Sequence, residues 1–201
     1  MMFGFCGASR TGKSTLCKLL SEGLDLPFHS FNTAEIMKAK GYNLVDPALT
    51  FATRLDAQEA YLDHYEETLR ALPRPALTDR TPLCLAAYTM AEIRMHDHAE
   101  HGDRVLAIVE RAVCMTDQHF DTVFLLRPLP FYEEAEGKAP ANLGYQWHHQ
   151  IVCEGLADQC RFIDAATLYT PDLETRAESC TKAIVDAMQR WGEEKAALTC
   201  H

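Results

Sequence analysis

The chain has 201 residues, 47% of them apolar, and a formal net charge of −10. That length and apolar content suit one well-buried domain, and the acidic balance argues against a protein whose main work is gripping a polyanion. No apolar run approaches the roughly 20 residues of a membrane span, and the N-terminus lacks the basic region and cleavage pattern of a secretory signal, so the expected location is the cytoplasm. Cys6, Cys17, Cys84, Cys114, Cys153, Cys160, Cys180 and Cys200 are scattered without a C-x-x-C pair, which predicts reduced, mostly buried thiols.

In chain order, Met2 to Cys6 is a short apolar run interrupted at Gly4 and predicts a buried strand. Ser14 to Glu22 carries Leu16, Leu19 and Leu20 at helical spacing, with Gly23 as its stop. Phe28 to Phe31 predicts a second strand, and Asn32 and Thr33 cap a brief helix that runs through Lys40 and ends at Gly41. Leu55, Leu62, Tyr65, Leu69 and Leu72 keep three-or-four spacing, the pattern of a long amphipathic helix closed by Pro73 and Pro75.

Pro75 to Asp79 predicts a strand, and Pro82 opens a helix through about His96. Val105, Leu106, Val109, Ala112 and Val113 predict another helix, Thr122 to Leu126 a strand, and the polar, proline-containing stretch 128–144 a lid. Trp147, Ile151 and Leu156 suggest a helix face, and Arg161 to Ile163 a last strand ending at Asp164. Thr170-Pro171 opens a final helix with Leu173, Ala177, Cys180, Ile184, Met188 and Trp191 on one face, and residues 193–201 are expected to fray. Five strands alternating with helices predict an α/β fold: a five-stranded parallel sheet between two helical layers, with ligands beyond the carboxyl ends of the strands.

The strongest chemical signal is Gly7-Ala8-Ser9-Arg10-Thr11-Gly12-Lys13-Ser14, set between the first strand and the first helix. In G-x-x-x-x-G-K-[ST] the glycines let backbone N–H groups close around phosphate oxygens, and the following helix presents its positive end. Lys13 is expected on the β and γ phosphates, Ser14 on Mg²⁺, and Thr15 on the α phosphate. The expected cofactors are therefore ATP and Mg²⁺. The chain lacks the D-x-x-G and N-K-x-D patterns of a GTPase, and it is short for an oligomeric motor ATPase.

Asp79-Arg80-Thr81-Pro82-Leu83-Cys84-Leu85-Ala86-Ala87-Tyr88 resembles the thymidylate-kinase-like and nicotinamide-riboside-kinase-like branch of P-loop kinases. There a strand ends in Asp-Arg and an Ala-Tyr follows on the next helix. The resemblance takes in Gly7 to Thr15, Phe124-Leu125-Leu126-Arg127-Pro128 and Phe162-Ile163-Asp164-Ala165, and bacteriophage-encoded nucleotide kinases are similar in size. Thr81 stands where thymidylate kinases usually carry tyrosine, and Lys138, in Glu136-Gly137-Lys138, is the only cation of Pro128 to Asn142.

Phosphoryl transfer needs carboxylates near Mg²⁺ and cations near the moving group. Asp79 is the candidate base or Mg²⁺ carboxylate and Arg80 the candidate acceptor clamp, the alternative being a capping Asp and a surface Arg. Arg127 and Lys138 are candidates for closing on the phosphates. Arg54, Gln58 and Tyr88 are candidates for the acceptor pocket, against a solvated face or core packing. His96, His98 and His101 read as solvated surface rather than a zinc site, and His148 and His149 as packing beside Trp147.

The resemblance thus implies an ATP-dependent kinase acting on a nucleoside or (deoxy)nucleoside monophosphate. Two alternatives stand beside it: a kinase for hydroxymethyl-pyrimidines within DNA, and an ATP-hydrolysing regulator. A homodimer is frequent in the resembling families, and the helix from Leu55 offers either an interface or a core stripe.

Overall fold

The computed structural model describes residues 1–43, 48–93, 99–130 and 142–199. The strands are β1 (Met2–Cys6), β2 (Phe28–His29), β3 (Ala76–Thr78), β4 (Thr122–Leu126) and β5 (Asp164–Leu168). The helices are α1 (Lys13–Leu24), α2 (Thr33–Ala39), α3 (Phe51–Ala71), α4 (Pro82–Glu92), α5 (Gly102–His119), α6 (Leu143–Ala157) and α7 (Leu173–Thr199). All strand pairs are parallel, in the order β2-β3-β1-β4-β5.

The central strand β1 is buried along its whole length, as a strand covered on both faces must be. Period-two alternation divides its side chains between two cores. Met2 and Cys6 join Val123 and Leu125 in a core shared with α2 to α6, while Phe3 and Phe5 join Phe124, Leu126 and Leu168 against α1 and α7. Helices on both faces of a five-stranded parallel sheet make the three-layer α/β/α arrangement expected from the strand–helix alternation.

Gly4 interrupts the apolar run for a packing reason. A Cβ there would lie 2.5 Å from Thr81 Cγ2 and 2.6 Å from the Phe120 ring. Its absence lets the start of α4 sit against the middle of β1, and that seats the Asp79-Arg80 segment beside the end of β1.

Several expectations are corrected. Gly23 lies inside α1, and the left-handed cap is Asp25 (φ 52°), whose N–H reaches Ser21 O. The second strand stops at His29, and Phe31 instead turns into the core, where it stacks on Tyr65 with ring centroids 3.7 Å apart. The last strand is Asp164–Leu168 rather than Arg161–Ile163. It follows β4 in continuous register from Thr122↔Asp164 to Leu126↔Leu168, while the Arg161 and Phe162 N–H groups are held by the Asp117 carboxylate. The final helix runs from Leu173 to Thr199.

α6 buries Leu156 as expected, but the other two residues of its expected face turn outward. Trp147 and Ile151 are exposed, and Gln146, His149, Gln150 and Cys153 face inward. The α3 stripe of Leu55, Leu62, Tyr65 and Leu69 is spent within the chain's own core, so it is no open interface. Seven free thiols are described, of which only Cys114 is exposed; burial pushes Cys6 and Cys17 well above the usual thiol range, and the hydrogen bond that Cys84 donates to Cys6, with burial second, does the same for Cys84. No helix among the described residues is long and apolar enough to cross a membrane.

Candidate active site

β1 ends at Cys6 and the chain turns at once through Gly7 (φ 144°), Arg10 (φ 62°) and Gly12 (φ 86°) before α1 begins at Lys13. These positive φ values suit glycine, and they fold residues 7–12 into a loop at the carboxyl edge of the sheet. Gly7 is further constrained because an added Cβ would meet the Leu126 carbonyl at 2.6 Å. The loop lies over the end of β4.

Lys13 is buried, and its Nζ donates to Gly7 O at 2.9 Å, Ala8 O at 2.6 Å and Thr11 Oγ1 at 3.3 Å. Burial first, and the Arg80 guanidinium second, hold its ammonium below the usual lysine range. The ammonium thus closes the loop upon itself, and an arriving phosphate would compete with backbone carbonyls for it. Beside it lies a cleft of about 380 Å³ lined by Ser9, Arg10, Gly12, Lys13, Ser14, Thr15, Ser30, Phe31, Asn32, Asp79 and Arg80.

Asp79, just past the end of β3, fixes one wall of this cleft. Its Oδ2 accepts from Ser14 Oγ at 2.5 Å and Ser30 Oγ at 2.8 Å, and its Oδ1 accepts from the Phe31 N–H at 3.0 Å. Ser14 on α1 and Asp79 just after β3 are thereby brought together across 65 residues, a pair of hard oxygen donors of the kind Mg²⁺ accepts when phosphates and water fill its other positions. Among the described residues no cluster of three or more His, Cys, Asp or Glu is placed to hold a metal. Any Mg²⁺ here would depend on nucleotide oxygens.

Arg80 is anchored rather than loose. Its Nε donates to Phe31 O at 3.1 Å, and its own carbonyl accepts from the Tyr65 hydroxyl and from Thr78 Oγ1 at 2.7 Å. Arg80 also lines the cleft.

The other sequence candidates are distributed differently. Tyr88 on α4 shares a hydrogen bond with Ser9 Oγ at 2.9 Å and lies 4.3 Å from the His149 ring, so it braces the phosphate loop. Arg127 pairs with Glu154 at 3.2 Å beneath Tyr169 and Trp147, outside the residues that line the cleft. Arg54 bridges to Glu92 at 3.4 Å and Gln58 is buried one turn further along α3; neither lines the cleft. Lys138 and most of the expected lid, together with His96 and His98, lie outside the described residues.

Of the residues behind the loop, sequence reasoning passed over Gln146 and Arg176 and read His149 as packing, which its burial bears out. Gln146 Nε2 donates to Ser9 O at 3.0 Å. His149, fully buried, meets Cys84 O at 3.3 Å and Cys153 Sγ at 3.4 Å, and burial holds its imidazole down to about 4. Arg176 on α7 donates to Thr11 O at 2.7 Å. Gln146, His149 and Gln150 do fall at helical spacing, a signal that was present in the sequence but competed with the apolar Trp147 and Ile151 stripe.

A parallel sheet whose central strand runs through a glycine loop into a helix, faced by Asp-Arg from the neighbouring strand, is the fold of the P-loop nucleoside and nucleotide kinases. No protein-family model matches the chain, nor does any curated protein sequence. Solved structures do. A deoxyadenosine kinase from M. mycoides with products dCMP and dCDP bound superposes with a TM-score of 0.62 at 15% identity, over 93% of this chain and 100% of that one. Thymidylate kinase from Candida albicans gives 0.63 at 14% identity, over 93% and 92%. The YorR protein from Bacillus subtilis, in complex with phosphorylated GDP, gives 0.55 at 10% identity, over 96% and 98%.

Proposed function

We propose that the protein transfers the γ-phosphoryl group of ATP to a nucleoside monophosphate. The observation that carries this reading is the cleft in which Lys13 and the Ser14–Asp79 pair lie together at the end of a phosphate loop. Backbone N–H groups and Lys13 would take the donor phosphates, Ser14 and Asp79 would hold a nucleotide-bound Mg²⁺, and that ion would neutralise charge on the β and γ oxygens. Arg80, fixed by Phe31 O, would face the acceptor.

Asp79 decides between the two kinds of acceptor. A nucleoside hydroxyl must lose a proton, and Asp79 is the only carboxylate among the described residues lining the cleft. Both of its oxygens are already engaged, by the Ser14 and Ser30 hydroxyls and the Phe31 N–H, which supports a holding role for Asp79 over that of a base. A phosphate acceptor needs no base at all. It needs cations, and beside the Lys13 that the donor would take, the cleft offers Arg10 and Arg80.

The test is transfer of label from γ-labelled ATP, with Mg²⁺, to nucleoside monophosphates, nucleosides, and plain or hydroxymethyl-bearing DNA, with Lys13→Ala as control. Lys13-dependent transfer to a monophosphate is the expected result. Transfer to nucleosides alone would overturn the acceptor argument, transfer to DNA alone would move the substrate to a polymer, and Lys13-dependent hydrolysis without any transfer would point to a regulator.

A further inference from the structure

The α7 side of the phosphate loop holds a buried charge that the transfer reaction does not touch. Arg176 is 2% exposed, and its partners among the described residues are backbone carbonyls: Thr170 O at 2.5 Å from Nε, Thr11 O at 2.7 Å from Nη1 and Arg127 O at 3.0 Å from Nη2. One guanidinium therefore ties together three segments at the carboxyl edge of the sheet: the phosphate loop, the end of β4 and the connection from β5 to α7. No carboxylate among the described residues pairs with it.

Its position runs against local electrostatics. Arg176 is the fourth residue of α7, in the first helical turn, and it reaches the loop immediately before α1. Both helices direct their positive ends toward it, where a cation is disfavoured. A buried guanidinium with no counter-ion, held between two such ends, is costly unless an anion arrives.

The geometry also shows what the side chain does to the loop. A trans peptide points its C=O and N–H in opposite directions. With Thr11 O drawn toward Arg176, the Gly12 N–H faces the other way, and Gly12 lines the cleft. We infer that Arg176 is a positioning residue for nucleotide phosphates: it fixes the Thr11–Gly12 peptide with its N–H toward the cleft, and its charge is completed by the phosphates on the other side of the loop. This rests on the phosphate-binding reading of the loop, and it adds a requirement for α7 that the reading alone does not contain.

The experiment is calorimetric binding of ATP and of inorganic tripolyphosphate to wild type, Lys13→Ala, Arg176→Met, Arg176→Lys and Cys180→Ala. Cys180 lies fully buried on the same helix, against α1 rather than the loop, so its truncation loosens α7 without touching Thr11. Arg176→Met is expected to weaken both ligands by about tenfold or more, the change that one charge-assisted interaction makes. Arg176→Lys, which keeps the charge but cannot span three carbonyls, should fall between Met and wild type and serves alone if Arg176→Met does not fold. Cys180→Ala should bind like wild type.

Unchanged affinity in the folded Arg176 variants, with Lys13→Ala abolishing binding, would overturn the inference and leave the site intact. An equal loss in Cys180→Ala would reduce Arg176 to general packing and overturn it too. A wild-type chain that binds neither ligand would refute the phosphate-binding reading itself, and the role of Arg176 with it.

Discussion

Asp79 can be asked whether it serves chemistry or merely architecture, because two substitutions separate the roles. Asp79→Ala removes the acceptor for three donors. Ser14 and Ser30 are exposed and can turn to water, but the Phe31 N–H belongs to a residue 1% exposed and would lose its partner. An unsatisfied buried donor costs about 1–3 kcal/mol, so the alanine variant should lose about 2–4 kcal/mol in all. For a chain of this size that lowers Tm by about 5–15 °C. Asp79→Asn keeps an acceptor for Phe31 N–H, and the two hydroxyls can rotate to accept from its amide, so the loss shrinks to about 1 kcal/mol, the difference between charged and neutral hydrogen bonds. The carboxylate charge that would face a bound Mg²⁺ is gone in both. If Asp79 acts on the reaction, both variants lose about 100-fold or more in kcat despite their different melting temperatures. Scanning calorimetry beside the γ-phosphate transfer assay reads both quantities. An Asn variant that keeps activity within about fivefold of wild type would refute the reasoning and leave Asp79 as a bracket for the Phe31 turn.

Other perturbations test the frame around it. Gly7→Ala forces a side chain into a left-handed φ of 144° and a 2.6 Å approach to the Leu126 carbonyl; it should abolish ATP binding while leaving a folded, less stable chain, as read by calorimetric titration. Gly4→Ala drives a methyl into Thr81 and Phe120, and should cost about 1–3 kcal/mol in urea unfolding, the usual range for overpacking. His149, with its imidazole held down to about 4 by burial, is neutral in the folded state while the unfolded chain binds a proton below 6.5. Its contribution is therefore complete above pH 6.5 and is lost as pH falls toward 4, with a slope approaching ~1.4 kcal/mol per unit. Unfolding midpoints at pH 7, 5.5 and 4.5 should fall more steeply for wild type than for His149→Asn; parallel slopes would count against a buried neutral imidazole.

The sequence disclosed the parts of this molecule whose physics is local. β1, the glycine loop and α1 are contiguous, so their succession could be read without tertiary knowledge. Asp79-Arg80 was legible for a related reason: a strand end before Pro82 delivers its charges to one place. Residues whose roles depend on distant partners were misread. Trp147 and Ile151 looked like a core face because apolar stripes usually are, but α6 buries the polar Gln146 and His149 against the Ser9 and Cys84 carbonyls, and those partners lie 137 and 65 residues away. β5 was displaced because Asp164-Ala165-Ala166-Thr167 lacks strand-like bulk, and only pairing with β4 defines it. Arg176 has no local signature: an arginine in a first helical turn carries no hint of a carbonyl 165 residues earlier.

The separation between the loop and its fastenings bears on how the chain comes to be functional during synthesis. Residues 7–14 leave the ribosome before the segments that hold them: β1 gains its β4 neighbour only once Thr122 and the residues after it exist, and the loop is pinned by Gln146 and Arg176 later still. Contacts of such span make for slow folding. The growing chain thus carries the glycine loop unfastened until α7 docks. If the loop binds ATP as proposed, binding in a ribosome-stalled or truncated chain should switch on only once Arg176 and the rest of α7 have been made.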